Sequence, residues 1–139
     1  MGVVVSACTY GLSKMLNTHV HDRDLVPLTR MALTPGLPRM LCTSTVLFFA
    51  PAVEEILFRG ALYGGYRKSF GPIWAAVLTT ALFLVVHLPG MVHPMPAVMG
   101  IIGAALTALW NRLRAGAIGP AIAVHVGFNS WSMFLVVLQ

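Results

Sequence analysis

Three short stretches of this chain set polar side chains into otherwise apolar sequence: Glu54, Glu55 and Arg59 in "PAVEEILFRG", His87 in "FLVVH", and His125 with Asn129 in "HVGFN". A charge at membrane depth costs about 2.5 to 3.5 kcal/mol even on the lenient insertion scale, so each needs a compensating gain. Glu55 and Arg59 stand at i and i+4 on a helix with the acid N-terminal, the favourable order for an ion pair. Glu54 lies about 100° round the same helix and is left over. In a purely structural role Glu54 would join Glu55 in holding Arg59, or sit neutral. Two histidines, an asparagine and a spare carboxylate suggest more than that. A carboxylate in a low-dielectric pocket can hold a water and take its proton. An imidazole can share that water or bind a metal, and His with Asn can donate to an oxyanion forming on an amide carbonyl. Together these groups suffice for peptide hydrolysis. A Ser-His-Asp route lacks its third member, because Ser130 and Ser132 lie near His125 but no apolar segment contains an Asp.

The elements that must position these groups are membrane helices. Only 9% of the 139 residues are charged and 58% are hydrophobic, with mean hydropathy +0.82; a soluble domain is about a quarter charged. Apolar residues crowd positions 1–16, 40–58, 72–88, 96–110 and 118–138. This predicts an all-α, polytopic membrane helix bundle of about four to five transmembrane segments, a single domain over residues 1–139. The first segment is short for a span, at roughly 24 Å, and reads as interfacial or truncated. Residues 17–39, with three prolines, are predicted to be a surface connector. Helix starts are marked by Gly71-Pro72, by Pro94 and Pro96, and by Gly119-Pro120, and Pro89-Gly90 marks a stop. Gly60 with Gly64, and Gly100 with Gly103 and Ala104, offer flat faces for close helix contact.

The net charge of +5 comes from nine Lys and Arg against four acids, and the basic residues fall mostly between apolar segments. That placement suits loops meeting lipid headgroups and argues for membrane lipid, not nucleic acid, as the partner. Alternating the loops puts Lys14, Arg23, Arg30 and Arg39 opposite Arg67, Lys68, Arg112 and Arg114, so charge does not set the orientation. Cys8 and Cys42 lack ligand spacing and read as small buried side chains. The start "MGVVVS" fits a myristoylation pattern short enough to arise by chance. A secretory signal is disfavoured because the first basic residue is Lys14. His19, His21 and His93 fall in connectors and read as solvated. Counting 1.5 Å per residue, Glu54 lies about 20 Å from Arg67, His87 about 22 Å from Pro72, and His125 only about 8 Å from Pro120. A shared site therefore requires the 111–119 connector to dip inward or the last helix to start below the surface. A separation well over 10 Å between His125 and Glu54 would count against it.

"EEILFR", "FLVVH" and "HVGFN" match E-E-x-x-x-R, F-x-x-x-H and H-x-x-x-N in the order seen in the CAAX prenyl protease and bacteriocin-processing family of intramembrane peptidases, also called the abortive-infection family. The chain resembles that family over about residues 45–135, its peptidase core, including "FRG" after the paired acids and "GIIGAAL" before the last motif. The resemblance implies an intramembrane endopeptidase of a multi-pass protein, in the bacterial inner membrane, cutting a membrane-held or lipidated peptide. It implies that Glu54 activates the water, Glu55 and Arg59 brace the helix, His87 helps place the water or a metal, and His125 with Asn129 stabilises the oxyanion. Family members carry several spans before the first motif. Here one short segment precedes it, leaving a truncated form or a fold near its minimum. Glu54, His87 and His125 would suit a catalytic zinc with an open position. Yet there is no H-E-x-x-H, and ligation by Glu54 would leave the water without a base. The cofactor is thus none, or a divalent metal such as zinc. Two other classes share these residues: a proton- or cation-coupled transporter, which would need a continuous wet path across the membrane, and a non-catalytic scaffold or immunity protein. The residues do not set the oligomeric state.

Overall fold

The computed structural model describes residue 31, residues 33–88 and residues 94–137. The segment 1–16, the N-terminal motif, Cys8, Lys14, His19, His21, Pro89-Gly90 and His93 lie outside the described residues. Among the described residues every regular element is helical: α1 (Leu37–Ser44), α2 (Ala50–Glu55), α3 (Tyr63–His87), α4 (Pro94–Ala115) and α5 (Gly119–Val137). Wider π-helical turns, Thr45–Phe49 and Ile56–Leu62, join α1 to α2 and α2 to α3. The first three helices thus form one apolar run, Leu37–His87, long and apolar enough by length and composition to cross a membrane.

The first π turn has a local cause. Pro51 has no N–H, and in a regular α-helix its ring would press on the carbonyl four residues back. Instead the Ala50 N–H bonds the Thr45 carbonyl, an i to i−5 bond that widens the helix just before the proline. The run then folds back on itself at Gly71, where φ is 78° and ψ 172°, a backbone region essentially restricted to glycine. Pro72 starts the returning arm. Phe58 and Phe83 would stand about 37 Å apart on a straight helix, but their ring centroids are 5.0 Å apart and edge-on. The fold-back also buries Tyr63 against Ala75 and Leu109.

Several predicted boundaries move. The helix begins at Leu37, inside the predicted 17–39 connector, because Gly36 caps it with φ 85° and Pro38 fits its first turn. The apolar segment expected to end at 58 continues through residues 59–70, so Arg67 and Lys68 are helical; burial of Tyr63 holds that extra length in place. The predicted glycine faces are only partly used. A Cβ added at Gly100 would meet the Phe128 ring at 3.6 Å, whereas one added at Gly64 or Gly103 would meet nothing within 4 Å beyond its own helix backbone. Close contact of α4 falls instead to Ile101, Ala105, Ala108 and Leu109.

The surface pattern is that of a chain in lipid. Phe49 is 69% exposed and Ile73 76%, with Ile56, Trp74, Val85 and Trp131 also exposed, while the buried set includes Glu54, Glu55, Arg59, His87, His125 and Asn129. A soluble fold would not leave so much contiguous apolar surface in water. In a bilayer the polar groups must face inward and the apolar ones outward.

Candidate active site

α2 and the π turn after it supply Glu54, Glu55 and Arg59 from one stretch of backbone. Glu55 is fully buried. Its Oε1 lies 2.9 Å from Arg59 Nη1, an ion pair whose angles fall outside hydrogen-bond geometry. The same oxygen accepts a hydrogen bond from His125 Nδ1, also at 2.9 Å. The carboxylate thus ties the first run to α5, 70 residues away. The Arg59 guanidinium also lies over the Phe83 ring, 4.4 Å from its centroid, a cation–π contact with the returning arm of the fold-back.

Glu54 points another way. Its Oε2 lies 3.8 Å from His87 Nε2 and 3.7 Å from His125 Nε2, too far for a direct hydrogen bond. Buried and 5% exposed, that oxygen has no protein hydrogen-bond partner among the described residues. Both imidazoles are oriented from behind. His87 Nδ1 donates to the Phe83 carbonyl at 2.6 Å, the i−4 position of its own helix, and His125 Nδ1 donates to Glu55. With Nδ1–H engaged, each ring turns its Nε2 towards Glu54, as a lone pair when the ring is neutral and as an N–H when it is protonated. The Phe83 ring lies against both, with centroids 4.3 Å from His87 and 5.8 Å from His125.

The structure therefore brings Glu54, Glu55, Arg59, His87 and His125 together, and His125 stands far inside the 10 Å limit despite its short distance from Pro120. Asn129 sits one turn further along α5, where its Nδ2 donates to the Val46 carbonyl at 2.8 Å. Only the amide nitrogen can make that bond, which settles the orientation of the side chain. Its Oδ1 is buried without a hydrogen-bond partner among the described residues.

A zinc ion would need three side-chain donors from one cluster. His87 and His125 turn their outer ring nitrogens towards the Glu54 carboxylate, yet among the described residues no group of three His, Cys, Asp or Glu side chains is placed to hold a metal ion. As these side chains stand they do not form a three-ligand centre, and no step below is routed through one.

Three contacts were not legible in the motifs. Glu55 pairs with His125 as well as with Arg59. Phe83 serves as a ring platform for three of the polar groups. The Val46 carbonyl, finally, receives Asn129; a proline inside a helical apolar run was the available signal, since Pro51 must leave some upstream carbonyl without its usual donor.

Comparison with known proteins returned no curated protein and no solved structure that matches. One family pattern matches, type II CAAX prenyl endopeptidase Rce1-like, over residues 35–131. That range covers well over half of the chain and contains the five polar residues that the fold gathers, together with Asn129. With its paired acids, two histidines and asparagine carried on an apolar helical frame, the chain belongs to the Rce1-like family of type II CAAX prenyl endopeptidases.

Proposed function

We propose that this chain is a multi-pass intramembrane endopeptidase of four to five spans in which Glu54 is the general base that activates water. One observation carries the reading: a buried Glu54 oxygen without a hydrogen-bond partner among the described residues is faced by two imidazole Nε2 atoms at 3.7 and 3.8 Å, each ring held from behind through Nδ1. Polar atoms that far apart, without direct bonds, are where a bridging water is to be sought.

The chemistry follows from the tautomers. A water held there donates one hydrogen to the Glu54 carboxylate and the other to His87 Nε2, leaving an oxygen lone pair for the substrate carbonyl carbon. Glu54 takes the first proton as the carbon–oxygen bond forms and the carbonyl π pair moves onto oxygen. To donate to that oxyanion His125 must carry a proton on both nitrogens, with Glu55 as counter-ion on Nδ1, as the buried Asp steadies the imidazolium in a serine protease. With His125 charged, the buried cluster holds two carboxylates, one guanidinium and one imidazolium, and its charges cancel. Collapse of the intermediate breaks the carbon–nitrogen bond, and the proton on Glu54 passes to the leaving amine.

The substrate class follows from the family and the surface. A CAAX prenyl endopeptidase acts on a lipidated peptide, and an exposed belt of Phe, Ile, Leu and Trp keeps this site within reach of membrane-held chains. A groove of about 590 Å³ between the returning arm of α3 and α4, lined by Ile73, Val77, Leu84, Ile102 and Leu106, is nearly all apolar and suits a hydrocarbon chain. None of its lining residues belongs to the polar cluster.

The test uses the full chain in lipid nanodiscs with a farnesylated peptide ending in a C-a-a-X sequence, cleavage being read by mass spectrometry. Cleavage by the wild type and its loss in Glu54→Ala, with helix content and insertion unchanged, is the expected result. Undiminished cleavage in that variant excludes Glu54 as the base.

A further inference from the structure

The bond from Asn129 to Val46 crosses 83 residues and ends on a backbone carbonyl, an unusual use for an amide beside a hydrolytic site. Its cause lies in the first π turn. A carbonyl in a helix receives its hydrogen bond from the N–H four residues on, or five in a π turn. For Val46 those positions are 50 and 51. The Ala50 N–H is already committed to the Thr45 carbonyl, and residue 51 is proline, which has no N–H. The Val46 carbonyl is thus orphaned by its own helix, on a residue only 4% exposed. Asn129 Nδ2 fills the vacancy at 2.8 Å.

The surrounding contacts make this a docking point. Along α5, His125, Asn129 and Met133 recur every fourth residue and so share one face. Met133 packs with Val46 and Cys42, Asn129 holds the Val46 carbonyl, and His125 holds Glu55. Glu54 lies three residues beyond Pro51. Each residue of helical slippage turns the helix about 100°, so the register of this π turn decides which side of the helix bears Glu54.

We infer that Asn129 is a positioning residue whose amide replaces the backbone N–H that Pro51 lacks, locking the π turn and with it the direction of Glu54. The clamp is independent of what the enzyme cleaves. Its effect on turnover rests on the peptidase reading above.

The experiment is a double-mutant cycle between Asn129→Leu and Pro51→Ala in the full chain, reading the unfolding equilibrium in detergent micelles and kcat on the farnesylated peptide. Pro51→Ala returns an N–H within i to i+5 reach of the Val46 carbonyl. In the wild-type background Asn129→Leu strands that carbonyl and is expected to raise the unfolding constant about tenfold. In the Pro51→Ala background the rise is expected to be about twofold or less, because the carbonyl has a donor again. The kcat lost to Asn129→Leu, taken relative to each parent, should shrink in parallel. An unfolding penalty equal in both backgrounds overturns the clamp. So does a kcat loss equal in both, the signature of an amide that donates directly to the substrate oxyanion. Should Asn129→Leu fail to fold, the double variant is expected to fold, and its failure where Pro51→Ala alone folds overturns the proposal. If no peptide is cleaved even by the wild type, the peptidase reading fails while the unfolding cycle still decides the clamp.

Discussion

Glu54 and Glu55 are chain neighbours with the same chemistry, both buried on the same helix, yet their surroundings are opposite. Glu55 Oε1 has two partners at 2.9 Å, one on its own run and one on α5. Among the described residues Glu54 Oε2 has none nearer than 3.7 Å. Helix geometry separates them by about 100°, so one carboxylate faces groups that bind it and the other faces a gap between two imidazoles. The two contacts on Oε1 hold the Glu55 carboxylate in place, although its Oε2 has no hydrogen-bond partner among the described residues. Leaving Glu54 without such contacts costs stability. On the proposed mechanism the pair divides the labour between anchor and base, and mutation can test that division.

The largest expected effect is on rate. Glu54→Gln should lower kcat about 10² to 10⁴-fold, the range for loss of a general base, while leaving the unfolding free energy equal to wild type or higher. A clear loss of stability in that variant would erase the contrast. Glu55→Gln should do the reverse in kind. It leaves Arg59 buried without its counter-charge, at about 3 to 5 kcal/mol, measurable as a shifted denaturation midpoint, and adding Arg59→Met should recover much of that loss. Next comes the fold-back that carries His87 to Glu54. Gly71→Ala must force a side chain into φ 78° and ψ 172°, at about 1 to 3 kcal/mol. It should depress kcat more than it disturbs the Glu55–Arg59 pair, which is local to one stretch of helix. The smallest effect is expected of Phe83→Leu, which removes the ring beneath Arg59, at about 0.5 to 2 kcal/mol of stability; thermal melts of this variant with and without Arg59→Lys would show whether the two are coupled.

Much of the site could be read before any fold was known, because a charge in apolar sequence has few ways to exist. Each of the six polar residues was identifiable by its cost, and the i, i+4 spacing of Glu55 with Arg59 named a true pair. Spacing also singled out Glu54 as the group without a local partner. Helix ends were less legible. The run from Leu37 passes residues 59–70 without stopping, although the apolar pattern predicts an end at 58 and places Arg67 and Lys68 in a loop, because burial of Tyr63 holds the extra turns in place.

What the sequence determined by itself was therefore the set of groups, their helical setting and the lipid-facing character of everything around them, since hydropathy and the 3.6-residue period act over a few turns of a single helix. Only the tertiary structure decided that His125 belongs to Glu55 as well as to Glu54, that Asn129 serves the Val46 carbonyl, and that Gly71 folds one arm onto the other. Those contacts join residues 70 and 83 positions apart. They depend on how one helix is rotated and crossed against another, which no periodicity within either helix records.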